Sequence, residues 1–137
     1  MTIKEIQNEI IEEFAIYDDW MDKYQYIIDM GKELPLIDPK YKTEENLIKG
    51  CQSQVWFHAE LLDNKVVFTA DSDAVITKGL AALMIRIFSN QPPKDILNSD
   101  LEFMEKIGLQ QHLSPTRANG LLAMIKQIKY FAVAYSK

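Results

Sequence analysis

One cysteine stands in this 137-residue chain, in the run Gly50-Cys51-Gln52-Ser53-Gln54-Val55-Trp56. A thiol preceded by glycine and followed by three polar residues lies on a loop, just before an apolar run with strand character. Loops carry reactive groups well because a rigid scaffold presents them. A free cysteine is also among the most buried residue types and often serves as a small hydrophobe. The polar neighbours argue for a reactive thiol, and the sequence is compatible with both readings. Two histidines are available to such a thiol, His58 and His112. Either would make a Cys-His pair for nucleophilic catalysis if the fold brought it to Cys51; otherwise each is an ordinary polar histidine. Arg117 falls in the first turn of the last expected helix, where a cation opposes the helix dipole. It therefore calls for a partner: a carboxylate, with Asp73 the candidate, a thiolate or another protein. The plain alternative is a surface ion pair worth little.

The residue inventory excludes much chemistry. One cysteine and two histidines cannot supply a structural zinc or iron–sulfur site. No glycine-rich phosphate cradle is present. A lone thiol has no resolving partner in its own chain, so exchange must bring a second sulfur from a small molecule or another protein. That favours a sulfur shuttle over a self-contained disulfide oxidoreductase.

The elements that must position these residues follow from periodicity. Thr2 and Glu5 form a capping box before a stripe of Ile3, Ile6, Ile10 and Phe14. A second helix is expected from about Asp18 to Met30, with Trp20, Tyr24, Ile27 and Ile28 as core and Gly31 as its stop. Residues 34–43, with Pro35 and Pro39, read as an irregular connection, and Leu47-Ile48 as a short strand. Val55 to Leu62 alternates, Asp63-Asn64 is a turn, and Lys65 to Ala70 returns, which makes a hairpin. Asp71-Ser72-Asp73 is expected to cap the next helix, whose core stripe is Leu80, Leu83, Met84, Ile87 and Phe88. Gly79 interrupts that helix at a cost that close backbone approach would justify. Pro93 to Leu97 reads as a short turn of helix. Ser99 and Glu102 read as a second capping box, Gly108 as a stop, 109–113 as a loop, and Ser114-Pro115 as the start of the last helix. Helices segregated from a hairpin give an α+β fold, a small antiparallel sheet packed against several helices, in a single domain over residues 1–137.

At 47% hydrophobic and 26% charged, the composition is that of a soluble globular chain. A net charge of −5 with no Lys/Arg run argues against nucleic acid or an anionic membrane as partner. No apolar stretch would span a bilayer. Met1 to Glu5 lacks the layout of a signal peptide, and a single cysteine suits a reducing compartment, so a cytoplasmic location is expected.

The run from Gly50 to Trp56 resembles the signature of the SufE family of sulfur-acceptor proteins. Further segments resemble that family in order: Trp20 to Gly31 with Leu34-Pro35; Asp71-Ser72-Asp73-Ala74 with Lys78-Gly79-Leu80; Gly108-Leu109 with His112-Leu113-Ser114-Pro115; and Arg117 with Asn119-Gly120-Leu121. The resemblance implies the α+β fold shared with IscU-type scaffolds. It implies that Cys51 accepts persulfide sulfur from a SufS-type cysteine desulfurase, stimulates that enzyme and passes the sulfur to a SufBCD-type scaffold. It further implies a resting thiol turned toward an apolar pocket, and no cofactor on this chain, the PLP belonging to the partner. Cys51 is then a persulfide-forming residue of an accessory protein rather than of a stand-alone enzyme. Gly50, Gln52, Ser53 and Gln54 would shape the loop or meet the partner, and Asp73 and Arg117 would support it. The rival readings are a regulatory module that carries no sulfur and a cysteine-dependent hydrolase.

Overall fold

Thr2 opens the first helix, α1 (Ile3–Ala15), with a complete capping box: Thr2 Oγ1 accepts from the Glu5 amide at 3.1 Å and Glu5 Oε1 from the Thr2 amide at 2.9 Å. The computed structural model describes residues 1–49 and 53–136. Ile3, Ile10 and Phe14 are buried as expected, and so is Gln7, whose Nε2 donates to the Asp100 carbonyl at 3.1 Å. The next helix, α2 (Trp20–Gly31), is capped by Asp19, one residue later than expected, through its bond to the Met21 amide at 2.8 Å.

Two strands, β1 (Val55–Leu62) and β2 (Lys65–Ser72), pair antiparallel from Val55↔Ser72 to Leu62↔Lys65. Asp63 and Asn64 turn between them at φ 51° and 64°, the left-handed values a two-residue hairpin requires. Val55, Phe57 and Ala59 face the core, whereas Leu61 is 41% exposed near the turn. The expected strand at Leu47-Ile48 is a single bridge, Leu47 to Trp56, with the Ile48 amide donating to the Val55 carbonyl at 2.8 Å. On the other edge Leu36 bridges to Ala70.

The helix α3 (Val75–Phe88) is buried nearly all round and packs on α1, α2 and β2. Its cap departs from expectation. Ala74 is the N-cap with no side-chain bond, because β2 absorbs Asp71 and Ser72 and the Asp73 side chain is used elsewhere. Three short helices follow, α4 (Pro93–Asn98), α5 (Glu102–Ile107) and α6 (Leu109–His112), and then the long α7 (Pro115–Tyr135), which also packs on α3. Residues 109–112, expected as loop, are thus helical. The Ser99–Glu102 box does not form: Ser99 Oγ donates to the Ile96 carbonyl at 2.7 Å, and Asp100 Oδ1 takes the Glu102 amide at 3.2 Å. Gly108, at φ 77°, ends α5 as expected. The architecture is α+β, a two-stranded antiparallel sheet against helices. Among the described residues no helix is long and apolar enough to cross a membrane.

The crossing of α2 over α3 is set by two glycines. A Cβ on Gly79 would lie 2.2 Å from the Ile27 carbonyl oxygen, and one on Gly31 would lie 2.9 Å from the Gly79 nitrogen. Gly31 is the last residue of α2, and it also serves as a packing residue against α3. Beside this crossing Arg86 binds Glu13 and Glu9, at 2.7 Å from Nη1 to Glu13 Oε1 and 2.9 Å from Nη2 to Glu9 Oε1, and the Tyr26 hydroxyl donates to Glu13. The guanidinium, despite some desolvation, holds the Glu13 carboxyl below the usual glutamate range. Burial and then the Glu13 carboxylate push the Tyr26 phenol up to about 12.

Two outcomes follow from this packing. Gly79→Ala, which would stabilise an exposed helix by about 1 kcal/mol, should instead destabilise this protein by about 3 kcal/mol or more through overpacking, read as the urea midpoint. Glu13 contributes stability that is present above its unfolded pKa, about 4.3, and is lost as pH falls through its lower folded value. Urea midpoints measured from pH 6 down to pH 2 should show a steeper acid decline in the wild type than in Arg86→Met, which lacks the partner that lowers Glu13.

Candidate functional site

Gly50, Cys51 and Gln52 lie outside the described residues, so the site is defined by what flanks them. Ser53, two residues along the chain from Cys51, lines a small cavity of about 70 Å³ with Thr77, Leu80, Thr116, Arg117, Gly120 and Met124. Leu80 and Met124 are buried and form its apolar wall, and Thr77 is 8% exposed. Ser53, Thr77, Thr116 and Arg117 are the polar residues of its lining. No carboxylate is among the described residues that line it. Thr116 and Arg117 also belong to the first turn of α7, whose dipole favours negative charge there. The cavity is far smaller than the 300 to 1,000 Å³, roughly, of a metabolite site. Its size admits a group of only a few heavy atoms.

Each element places its residue for a local reason. Ser114 caps α7 by accepting from the Arg117 amide at 3.3 Å, and Pro115 occupies the first helical position, where a missing N–H costs nothing. Thr77 and Leu80 project from α3. Gln54 and Asp73 hold each other: the Gln54 amide donates to Asp73 Oδ1 at 3.0 Å, and the Asp73 amide to the Gln54 carbonyl at 3.2 Å. Asp73 thus pins the C-terminal side of the Cys51 segment to the start of α3. The bridges from Leu47 and Ile48 to β1 pin the N-terminal side.

Asp73, one candidate partner for Arg117, is not paired with it. Arg117 Nη1 instead donates to the Tyr24 hydroxyl, and the guanidinium carbon lies 5.8 Å from the Tyr24 ring centroid. Tyr24, read from spacing as plain core, is half-buried and carries this contact. The available signal was its residue type, since a tyrosine in a core stripe still needs a partner for its hydroxyl. Neither histidine lines the cavity. His58 stacks on Tyr41 with ring centroids 3.6 Å apart and lies 3.2 Å from Glu60 Oε1. His112 stacks on Trp20 at 4.3 Å.

A second charged cluster borders the hairpin. Asp71, directly opposite Trp56 in the register, binds Lys42 at 2.5 Å and Lys78 at 3.6 Å, and Lys42 also lies over the Trp56 ring. Burial raises the Asp71 carboxyl, but Lys42, the Ser72 amide and Lys78 together outweigh it and hold the group below the usual aspartate range.

A small α+β domain with a small cavity beside its one thiol segment defines the class, and comparison with known proteins defines the family. The family described as SufE, Fe-S metabolism associated domain, matches residues 8–132. An uncharacterized SufE-like protein of Rhizobium meliloti (strain 1021) is 44% identical over 127 residues, which covers 89% of this chain and 91% of that one. A SufE-like protein of Rhizobium etli is 40% identical over 127 residues, covering 89% and 86%. SufE-like protein 1 of Arabidopsis thaliana, described as chloroplastic/mitochondrial, is 44% identical over 119 residues, 86% of this chain but 32% of that longer protein. The solution structure of a hypothetical protein from Thermus thermophilus matches with a TM-score of 0.79 at 20% identity over 95% of each chain, a likeness of fold. The chain belongs to the SufE family.

Asp73→Ala should speed hydrogen exchange at the Gln54 amide by about fivefold, the loss of one hydrogen bond worth about 1 kcal/mol. NMR would resolve this. Asp73→Asn, which keeps an acceptor oxygen, should restore most of the protection.

Proposed function

We propose that this protein carries sulfur on Cys51. It takes the outer sulfur of a persulfide on a SufS-type cysteine desulfurase and delivers it to a SufBCD-type iron–sulfur scaffold. Membership of a family associated with Fe–S metabolism supports the reading. The observation that carries it is the cavity lined by Ser53, small, with Arg117, Thr77 and Thr116 in its lining and no carboxylate among its described lining residues.

The chemistry balances as an exchange. The Cys51 thiolate attacks the outer sulfur of the donor's cysteine persulfide; one S–S bond forms and one breaks. The donor leaves as a thiolate, Cys51 becomes a persulfide, and no net oxidation occurs. A persulfide at neutral pH is an anion with one heavy atom more than the thiolate, and a small cavity lined by Arg117 with no carboxylate among its described residues supports the reading. Its apolar wall of Leu80 and Met124 would shield the sulfur from stray thiols until delivery. PLP chemistry stays with the donor enzyme, and the iron–sulfur cluster is the destination of the cargo.

Incubation with a SufS-type desulfurase, PLP and cysteine should add one sulfur to the intact protein, reversible by dithiothreitol and mapped to Cys51 by mass spectrometry. Cys51→Ser should gain none while keeping the wild-type urea midpoint within about 0.5 kcal/mol of stability. Faster desulfurase turnover without any sulfur gain would overturn the carrier reading in favour of a regulatory module.

A further inference from the structure

We infer that the groove between the end of α2 and the C-terminal half of α3 is a docking site for a basic side chain, a lysine or arginine presented by an apolar segment of a partner protein. The groove, of about 420 Å³, shares no lining residue with the cavity at Ser53, and the inference does not rest on sulfur carriage. Met30, Leu34, Pro35, Ala82 and Ile85 are the apolar residues of its lining. Apolar surface continues past them in the chain, since Pro35 is exposed and Leu36 is 57% exposed.

The charges around the groove are negative in excess. Asp29 and Glu33 line it, the first in the last turn of α2, which carries no cation, and the second just beyond the helix end. A helix C-terminus is the negative pole of its dipole, so carboxylates there are unfavourable until a cation approaches. Asp29 accepts from Gln25 at 3.0 Å and meets Lys32 at 3.3 Å. Both side chains of that ion pair are more than half exposed, and such a pair holds weakly against a competing cation. Glu33 has no side-chain partner among the described residues. Arg86 is the one cation among the described lining residues, and Glu9 and Glu13 bind it, two carboxylates to one guanidinium.

An apolar centre with a charged rim is the anatomy of a protein interface. The aliphatic stem of lysine or arginine covers apolar surface while its charged head stays at the rim. A free organic cation would gain little from carboxylates this exposed. A side chain delivered by a protein gains more, because the rest of that interface bears the cost of association.

Backbone amide shifts of the whole protein in NMR titrations read the binding. The probe is a blocked pentapeptide, Gly-Leu-Arg-Leu-Gly, added up to about 10 mM, beside peptides with norleucine or glutamate in place of arginine. The arginine peptide should shift the amides of Met30, Glu33, Leu34 and Ile85 saturably, and bind about three- to tenfold more tightly than the norleucine peptide. That preference should fade as salt rises from about 20 mM to about 500 mM, and the glutamate peptide should leave these amides unmoved. Glu33→Lys, a change at an exposed position, should abolish the preference and keep the urea midpoint. The inference is overturned by an absence of saturable shifts, by shifts confined to other surfaces, by equal binding of the arginine and norleucine peptides, or by a preference that survives Glu33→Lys. Butylguanidinium binding as tightly as the arginine peptide would make the groove a small-molecule site and overturn it too. So would the same amides moving with protein concentration alone, which would assign the groove to a second copy of this chain. None of these measurements involves the thiol, so their outcome leaves the carrier reading to its own test.

Discussion

The contact on which the rest depends is the approach of α2 to α3 at two glycines. With a hypothetical Gly79 Cβ only 2.2 Å from the Ile27 carbonyl oxygen, no side chain fits, and the helices meet backbone to backbone. Buried interiors are close-packed, so a crossing this tight fixes everything attached to either helix. Helix α3 lies against the hairpin on one side and α7 on another. Helix α2 carries Tyr24 and Trp20, and α3 carries Thr77 and Leu80. A glycine cost of about 1 kcal/mol relative to alanine in a helix is offset by the packing that the missing side chain permits.

Charge is handled in two ways in this molecule. Arg86 is bound by two glutamates, one of them also held by a tyrosine, and Asp71 by two lysines, so the central charge of each cluster is compensated where it ties elements together. Such pairs serve architecture: α1 to α3 in one case, and the 34–43 connection to the hairpin and α3 in the other. Arg117 stands apart, held by a neutral partner at the positive end of a helix. Placing an uncompensated cation there is unfavourable on its own.

Much of this was legible in the residues. Strong local chemistry was read correctly where no distant group competed for it: the Thr2 capping box, the Asp63-Asn64 turn, the Gly108 stop and the Ser114-Pro115 start. Misreadings cluster where a side chain had a long-range alternative. Asp73 could cap α3 but is spent on the Gln54 amide. Gly31 has the composition of a stop signal, and only the partner helix shows that it is also a packing contact. Tyr24 and Arg117, separated by 93 positions, illustrate the same limit, since periodicity reports which face is buried and not which residue waits on the other side.

Helix α7 reaches across the molecule. Its 21 residues span about 31 Å at 1.5 Å each. Its first turns wall the cavity, and near its far end the Tyr135 hydroxyl donates to the Ala59 carbonyl of β1 at 2.9 Å. The cavity is therefore drawn from residues 53, 77 and 116–124, distant stretches that meet only after α7 docks. During synthesis the thiol segment emerges well before the residues that enclose the cavity, because chains fold from the N-terminus as they are made. A nascent chain thus presents residue 53 with no chamber beside it, and the chamber arrives in one step with completion of α7.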